Sequence, residues 1–155
     1  MGFFGLYFYR ILRRIIKPFV IDIINREKRI WGEPERIQIA KTASVMNALF
    51  NTVSGRITVG EYTFFGHNVS LITGNHTYTL QDKTERMLLV PQEGFDITIG
   101  SSVWIGTNVI VLGPCTIGDN AVIAAGSLVR GDVPSNSVVA GIPAKLIKSI
   151  NRSDT

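Results

Sequence analysis

The chain has 155 residues, 45% of them apolar, with a formal charge of +4, two histidines and one cysteine. That length suits one domain, and a single cysteine excludes an intrachain disulfide framework or a cysteine-rich metal site and fits a reducing, cytoplasmic setting. Residues 1–30 hold seven of the sixteen Lys/Arg against two acids, so they carry +5 while the remainder carries −1; without a basic stripe in the body, no nucleic-acid partner is expected.

In chain order, residues 6–17 are predicted to be helical. Phe8, Ile11, Leu12, Ile15, Ile16 and Phe19 fall on one face at 100° per residue, with Arg10, Arg13, Arg14 and Lys17 clustered opposite. Pro18 removes a backbone donor and is expected to kink or restart the helix, with 19–27 continuing in helical form. The four cations between Arg10 and Lys17 exclude a spanning helix, and no signal peptide is expected. Two uses stay open for residues 1–36, the N-terminal amphipathic segment. Its apolar face docks on the body of the chain or on a neighbouring subunit, or it lies on an anionic membrane surface as a peripheral contact through residues 1–30.

From residue 37 a six-residue beat takes over. Ile99, Ile105, Val111, Ile117, Ile123 and Val129 are spaced by six, and Val59, Phe65 and Leu71 keep the same register. Four residues after each of the first six comes Val103, Val109, Cys115, Ala121, Ser127 or Val133. Six fits neither an amphipathic helix nor a simple alternating strand. It fits a solenoid of short strands and tight turns, in which each rung buries its side chains only by stacking on the next. Val45 to Val59 is 14 residues, two more than two hexads, which places a bulge around Asn47–Ser54. Leu71 to Ile99 is 28, so residues 75–96 leave the coil as an excursion. Long loops within regular scaffolds tend to carry function. The body spans 37–144, and a basic tail, 145–155, is expected to fray.

Candidate chemistry is sparse. His76 stands at the root of the excursion in Thr73-Gly74-Asn75-His76, where an imidazole can serve as a general base. His67 reads as an exposed turn residue and Cys115 as a packed side chain. Asp82, Glu85, Glu93 and Asp96 are the carboxylates near enough in sequence to orient the imidazole or bind an acceptor. Two histidines fall short of the three a solenoid zinc site uses, so no metal is expected.

The run ITIGSSVWIGTNVIVLGPCTIGDNAVIAAGSLV, followed by DVPSNSVVAGIPAKLI, resembles the hexapeptide-repeat acyltransferases. Within them it is most similar to the maltose and galactoside O-acetyltransferase branch, which includes relatives from polysaccharide-biosynthesis clusters. The resemblance covers residues 37–150 and implies an all-β fold, a left-handed parallel β-helix of about four coils. It implies acetyl transfer from acetyl-CoA to a sugar hydroxyl, in a homotrimer with its sites between subunits. It also implies roles for residues: His76 as catalytic base, Thr107 beside the developing oxyanion, and Trp104 along the CoA arm. Ala125 would meet the pantetheine through its backbone, Arg130, Lys145 and Lys148 would meet the CoA phosphates, and Asn47 and Asn75 would lie on the acceptor side. The chain departs from the family at Arg130-Gly131, where the sugar acetylases have a Thr-Lys pair, and at Met46 and Ser54, where they have an acceptor-side Asn and Asp. Those departures leave open a non-sugar acceptor, such as an antibiotic or amino acid. A non-catalytic scaffold is the reading from another class.

Overall fold

A computed structural model describes residues 11–20 and 27–151. From residue 29 the backbone winds through stacked three-sided coils. The first strands are β1 (Arg29–Trp31), β2 (Ile37–Ile39) and β3 (Leu49–Asn51). The next coil holds β4 (Ile57–Val59), β5 (Phe64–Phe65) and β6 (Ser70–Ile72); the third holds β7 (Ile97–Ile99), β8 (Trp104–Ile105) and β9 (Ile110–Leu112). The fourth holds β10 (Cys115–Ile117), β11 (Val122–Ile123) and β12 (Leu128–Arg130), and β13 (Ser137–Gly141) and β14 (Ala144–Ser149) finish the body. Parallel pairing sorts these into three faces: face A is β1-β3-β6-β9-β12, face B is β2-β4-β7-β10, and face C is β5-β8-β11-β13 with β14 at its end. The result is the expected left-handed parallel β-helix, but with four complete coils and a partial turn at either end it makes about six turns and not the four expected.

The six-residue beat has a simple geometric cause. Inward residues run Ile97, Ile99, Val103, Ile105, Val109, Val111, Cys115, Ile117, Ala121, Ile123, all buried. Steps of two span a strand, because alternate side chains point the same way; steps of four span a corner. Two inward positions per hexad therefore fill the prism. Each large aliphatic buried this way contributes about 1.5–3 kcal/mol. The corners demand a left-handed backbone residue, supplied repeatedly by asparagine: Asn68, Asn108, Asn120 and Asn136 have φ between 53° and 58°. Asparagine tolerates that region better than other side-chain-bearing residues, and stacked corners link amides, Asn120 Nδ2 donating to Asn136 Oδ1 at 3.1 Å. Gly106 is required for a different reason. A Cβ there would lie 2.5 Å from the backbone nitrogen of Ala125 on the next coil.

Both expected irregularities are present. The bulge falls between β3 and β4, where Thr52 and Ser54 are buried. The excursion leaves after β6 and returns at β7, and it contains a helix absent from the sequence reading, Lys83–Leu88. Asp82 caps it, accepting from the backbone of Thr84 and Glu85 at 2.9 and 2.8 Å.

Two further expectations change. Residues 29–31 already pair as β1 with β3, so the solenoid begins before residue 37. Residues 144–149 do not fray; they fold back as β14, antiparallel to β13, which satisfies their backbone groups on an otherwise open sheet end. As expected, the helix over 11–20, α1, continues past Pro18 to residue 20; residues 1–10 and 21–26, into which it is expected to extend, and residues 152–155 lie outside the described residues. Every residue of α1 is exposed, so its apolar face docks nowhere on the described body of this chain.

Candidate functional site

Each coil has three edges, and the chain leaves for its excursion at the edge between faces A and B. The root of that excursion is tightly held. Thr73 Oγ1 donates to the Asn51 carbonyl at 2.8 Å and accepts from the Ser54 N–H at 3.1 Å. Asn51 Oδ1 accepts from both Val53 and Gly74 backbone N–H groups at 3.1 Å. Asn51 is a positioning residue the sequence reading did not identify; its only signal is its place one strand below Ile72 at the loop root.

Two residues beyond Gly74, His76 is exposed and its Nδ1 lies 3.0 Å from the Arg86 carbonyl oxygen. A carbonyl only accepts, so Nδ1 carries the proton and, in the neutral ring, Nε2 presents a lone pair. Arg86 is fixed in turn, its backbone N–H donating to the Asp82 carbonyl at 3.0 Å and its Nε to the Leu80 carbonyl at 3.1 Å. The short helix of the excursion therefore orients the imidazole. The four candidate carboxylates do not: Asp82 is engaged in capping, Asp96 Oδ1 accepts from the Arg56 N–H at 2.7 Å, and neither Glu85 nor Glu93 bonds the ring.

Beside this root runs a cavity of about 650 Å³ along the same edge, lined by Ile72, Asn75, Tyr78, Leu112, Pro114 and Arg130 among others. Asn75 and Arg130, one expected on the acceptor side and one at a phosphate, thus share a groove with apolar walls and a cation at its upper end. An extended ligand with an apolar arm and an anionic group fits that lining.

The other expected site residues lie elsewhere on the prism. Trp104 projects from face C, half exposed, stacked on Phe64 with ring centroids 6.0 Å apart and planes at 18°. Thr107 and Ala125 sit exposed on the edge between faces C and A. Lys145 and Lys148 lie exposed on β14, opposite Ala140 and Val138 at the end of face C. Asn47 is on the C/A edge too, and its amide is engaged at both ends by Asn68, at 2.9 Å to the side chain and 2.8 Å to the backbone. Face C is opposite the A/B edge in a three-sided prism, so a single chain does not bring His76 together with Trp104, Thr107 or Ala125.

His67 is an exposed corner residue, as its place in a regular hexad implied. Cys115 is buried, its thiol donates to the Gly131 carbonyl at 3.1 Å, and its pKa is pushed up to about 12 by burial and then by the Asp132 charge. A thiol so held is packing and not a nucleophile. Among the described residues, no group of three or more His, Cys, Asp or Glu is placed to hold a metal ion.

The pattern of the family described as "Bacterial transferase hexapeptide (six repeats)" matches residues 96–131. The galactoside O-acetyltransferase of Escherichia coli (strain K12) is 41% identical over 99 residues, covering 63% of this chain and 46% of that protein. The crystal structure of a maltose O-acetyltransferase from Clostridium difficile 630 superposes with a TM-score of 0.56 at 30% identity, over 81% of this chain and 68% of that one. A galactoside acetyltransferase in complex with coenzyme A superposes with a TM-score of 0.57 at 31% identity, over 82% of this chain and 65% of that one. The chain spans about half the length of the curated relatives it matches.

Proposed function

The chain belongs to the hexapeptide-repeat transferase family, and from that premise we propose that it moves an acetyl group from acetyl-CoA to a sugar hydroxyl by direct transfer. One observation carries the reading: the Arg86 carbonyl holds His76 in the tautomer whose Nε2 can accept a proton. In the reaction Nε2 takes the hydroxyl proton as the acceptor oxygen bonds to the thioester carbonyl carbon. Thr107, or a backbone N–H beside it, stabilises the oxyanion, an effect worth about 3–4 kcal/mol. When the carbon–sulfur bond breaks, the imidazolium returns its proton to the departing sulfur, so protons balance and no acyl-enzyme is formed.

The placement of the residues supports a site shared between copies. His76, Asn75 and Arg130 belong to the A/B edge, while Trp104, Thr107, Ala125, Lys145 and Lys148 belong to face C and its margin. Setting the A/B edge of one copy against face C of the next completes the set, and three such contacts close a ring. Apolar surface is available for the contact: Leu88 is 66% exposed on the excursion and Trp104 50% exposed on face C. Arg130, Lys145 and Lys148 supply cations for the CoA phosphates, with apolar groove walls for the pantetheine. The reading places the protein in the cytoplasm.

Purified protein incubated with acetyl-CoA and a panel of sugars, nucleotide sugars, oligosaccharides and amino acids should show a mass gain of one acetyl group on a saccharide only. Acetylation of an amino acid would move the reading to the non-sugar alternative, and transfer to nothing in the panel without acetyl-CoA binding would favour a scaffold. The shared site has its own check. Dissociating and remixing inactive His76→Ala and Trp104→Ala subunits should restore activity at about one quarter of sites, the share in which both intact halves meet. No recovery on mixing would mean that each chain holds a whole site.

A further inference from the structure

The helix over residues 11–20 has no role in that chemistry, yet its surface is strongly two-sided. At 100° per residue, Ile11, Ile15, Phe19, Leu12, Ile16 and Val20 occupy one half of its circumference. Arg13, Arg14 and Lys17 occupy the other half, and the helix holds no acid. None of the apolar side chains is covered: Ile15 and Phe19 are each 69% exposed. No described helix is long and apolar enough to cross a membrane.

Besides a neighbouring subunit, which the light-scattering measurement below tests, two surfaces could cover such a stripe. The lower end of the prism exposes a small cavity lined by Lys28, Ile30, Pro34, Ile37 and Ile39. Residues near it carry Lys28 and Arg29 as well as Glu33 and Glu35, so it offers three helix cations no net attraction. An anionic lipid surface offers attraction for the cations and an apolar layer for the stripe together. We propose that residues 11–20 lie flat on an anionic phospholipid bilayer, with Ile15 and Phe19 inserted and Arg13, Arg14 and Lys17 at headgroup level. The charge asymmetry agrees: the body beyond residue 30 carries −1 and is not drawn to such a surface itself. This inference does not depend on the reaction proposed above.

The test is co-sedimentation of the full chain with vesicles of phosphatidylglycerol and phosphatidylcholine, against vesicles of phosphatidylcholine alone. The protein should sediment with the anionic vesicles at low salt and be released at 1 M salt. Arg13→Glu/Arg14→Glu/Lys17→Glu should lower the partition coefficient about a hundredfold. Ile15→Ser/Phe19→Ser should abolish binding while the thermal midpoint and the mass by light scattering stay unchanged. Equal sedimentation of the wild type and both variants, or none with either vesicle, overturns the proposal. So does an Ile15→Ser/Phe19→Ser chain that melts earlier or changes its oligomeric mass, because the stripe is then covered by protein.

Discussion

The stacked coils and the excursion between Ile72 and Ile97 are held by opposite means. In the coils the inward positions stack in register from one coil to the next, and Ile99, Ile105, Ile117 and Ile123 all reach the same buried axis. In the excursion nothing repeats. Its shape depends on a few side-chain-to-backbone bonds, from Asn51, Thr73, Asp82 and Arg86, and those same bonds set the orientation of His76. Redundant packing makes a rod that tolerates small errors; single bonds make a site that does not. Mutations should therefore separate stability from turnover according to the region they strike.

The sharpest separation is expected at His76. His76→Ala should cost about two to four powers of ten in kcat and leave the thermal midpoint unchanged; a variant of normal turnover would remove the imidazole from the mechanism. Ile105→Ala is the converse. It should lower unfolding free energy by about 2–5 kcal/mol in denaturant titration, since the site lies at the prism axis and cannot collapse around the void. Asn51→Ala lies between the two regions. Losing its two bonds to Val53 and Gly74 should cost about 1–3 kcal/mol of stability, and kcat should fall while KM for acetyl-CoA holds. A fall in stability with no change in kcat would make Asn51 purely structural.

The smallest effect is expected at Cys115, in the rod. Its thiol keeps its proton up to about pH 12 in the fold, against an ordinary value of 9.0 once unfolded. The unfolded chain thus releases a proton first as pH rises from 9, so this group's contribution to stability is complete below that pH and declines through the window up to about 12. A Cys115→Ala chain should show a shallower loss of stability across that range. Below pH 9, native protein should react slowly with thiol reagents, and fast labelling would contradict the buried placement.

The two regions also differ in how much of them could be read from sequence. The hexad register, the bulge and the excursion were legible because a period is shared by many residues and one exception stands out against the rest. Thr52 and Ser54 fill the bulge, and the residues from 73 to 96 fill the gap. The helix at Lys83–Leu88 left a faint mark, Asp82 with Glu85 three residues on, which a reading tuned to sixes passes over. Nothing in the sequence marks the Arg86 carbonyl, because a backbone oxygen has no letter of its own. The fold-back of β14 was hidden likewise: KLIK reads as the start of a basic tail until β13 offers it hydrogen bonds.

The return of the excursion is pinned to the coil beneath it. Asp96 Oδ1 accepts from the Arg56 N–H at 2.7 Å, and the Ile97 N–H donates to the Arg56 carbonyl at 2.9 Å. Departure and re-entry are thereby clamped at one corner, and β7 resumes the phase of β4 whatever lies between. The intervening stretch behaves as a cartridge. A change in its length should therefore leave the phase of the coils on either side unaltered.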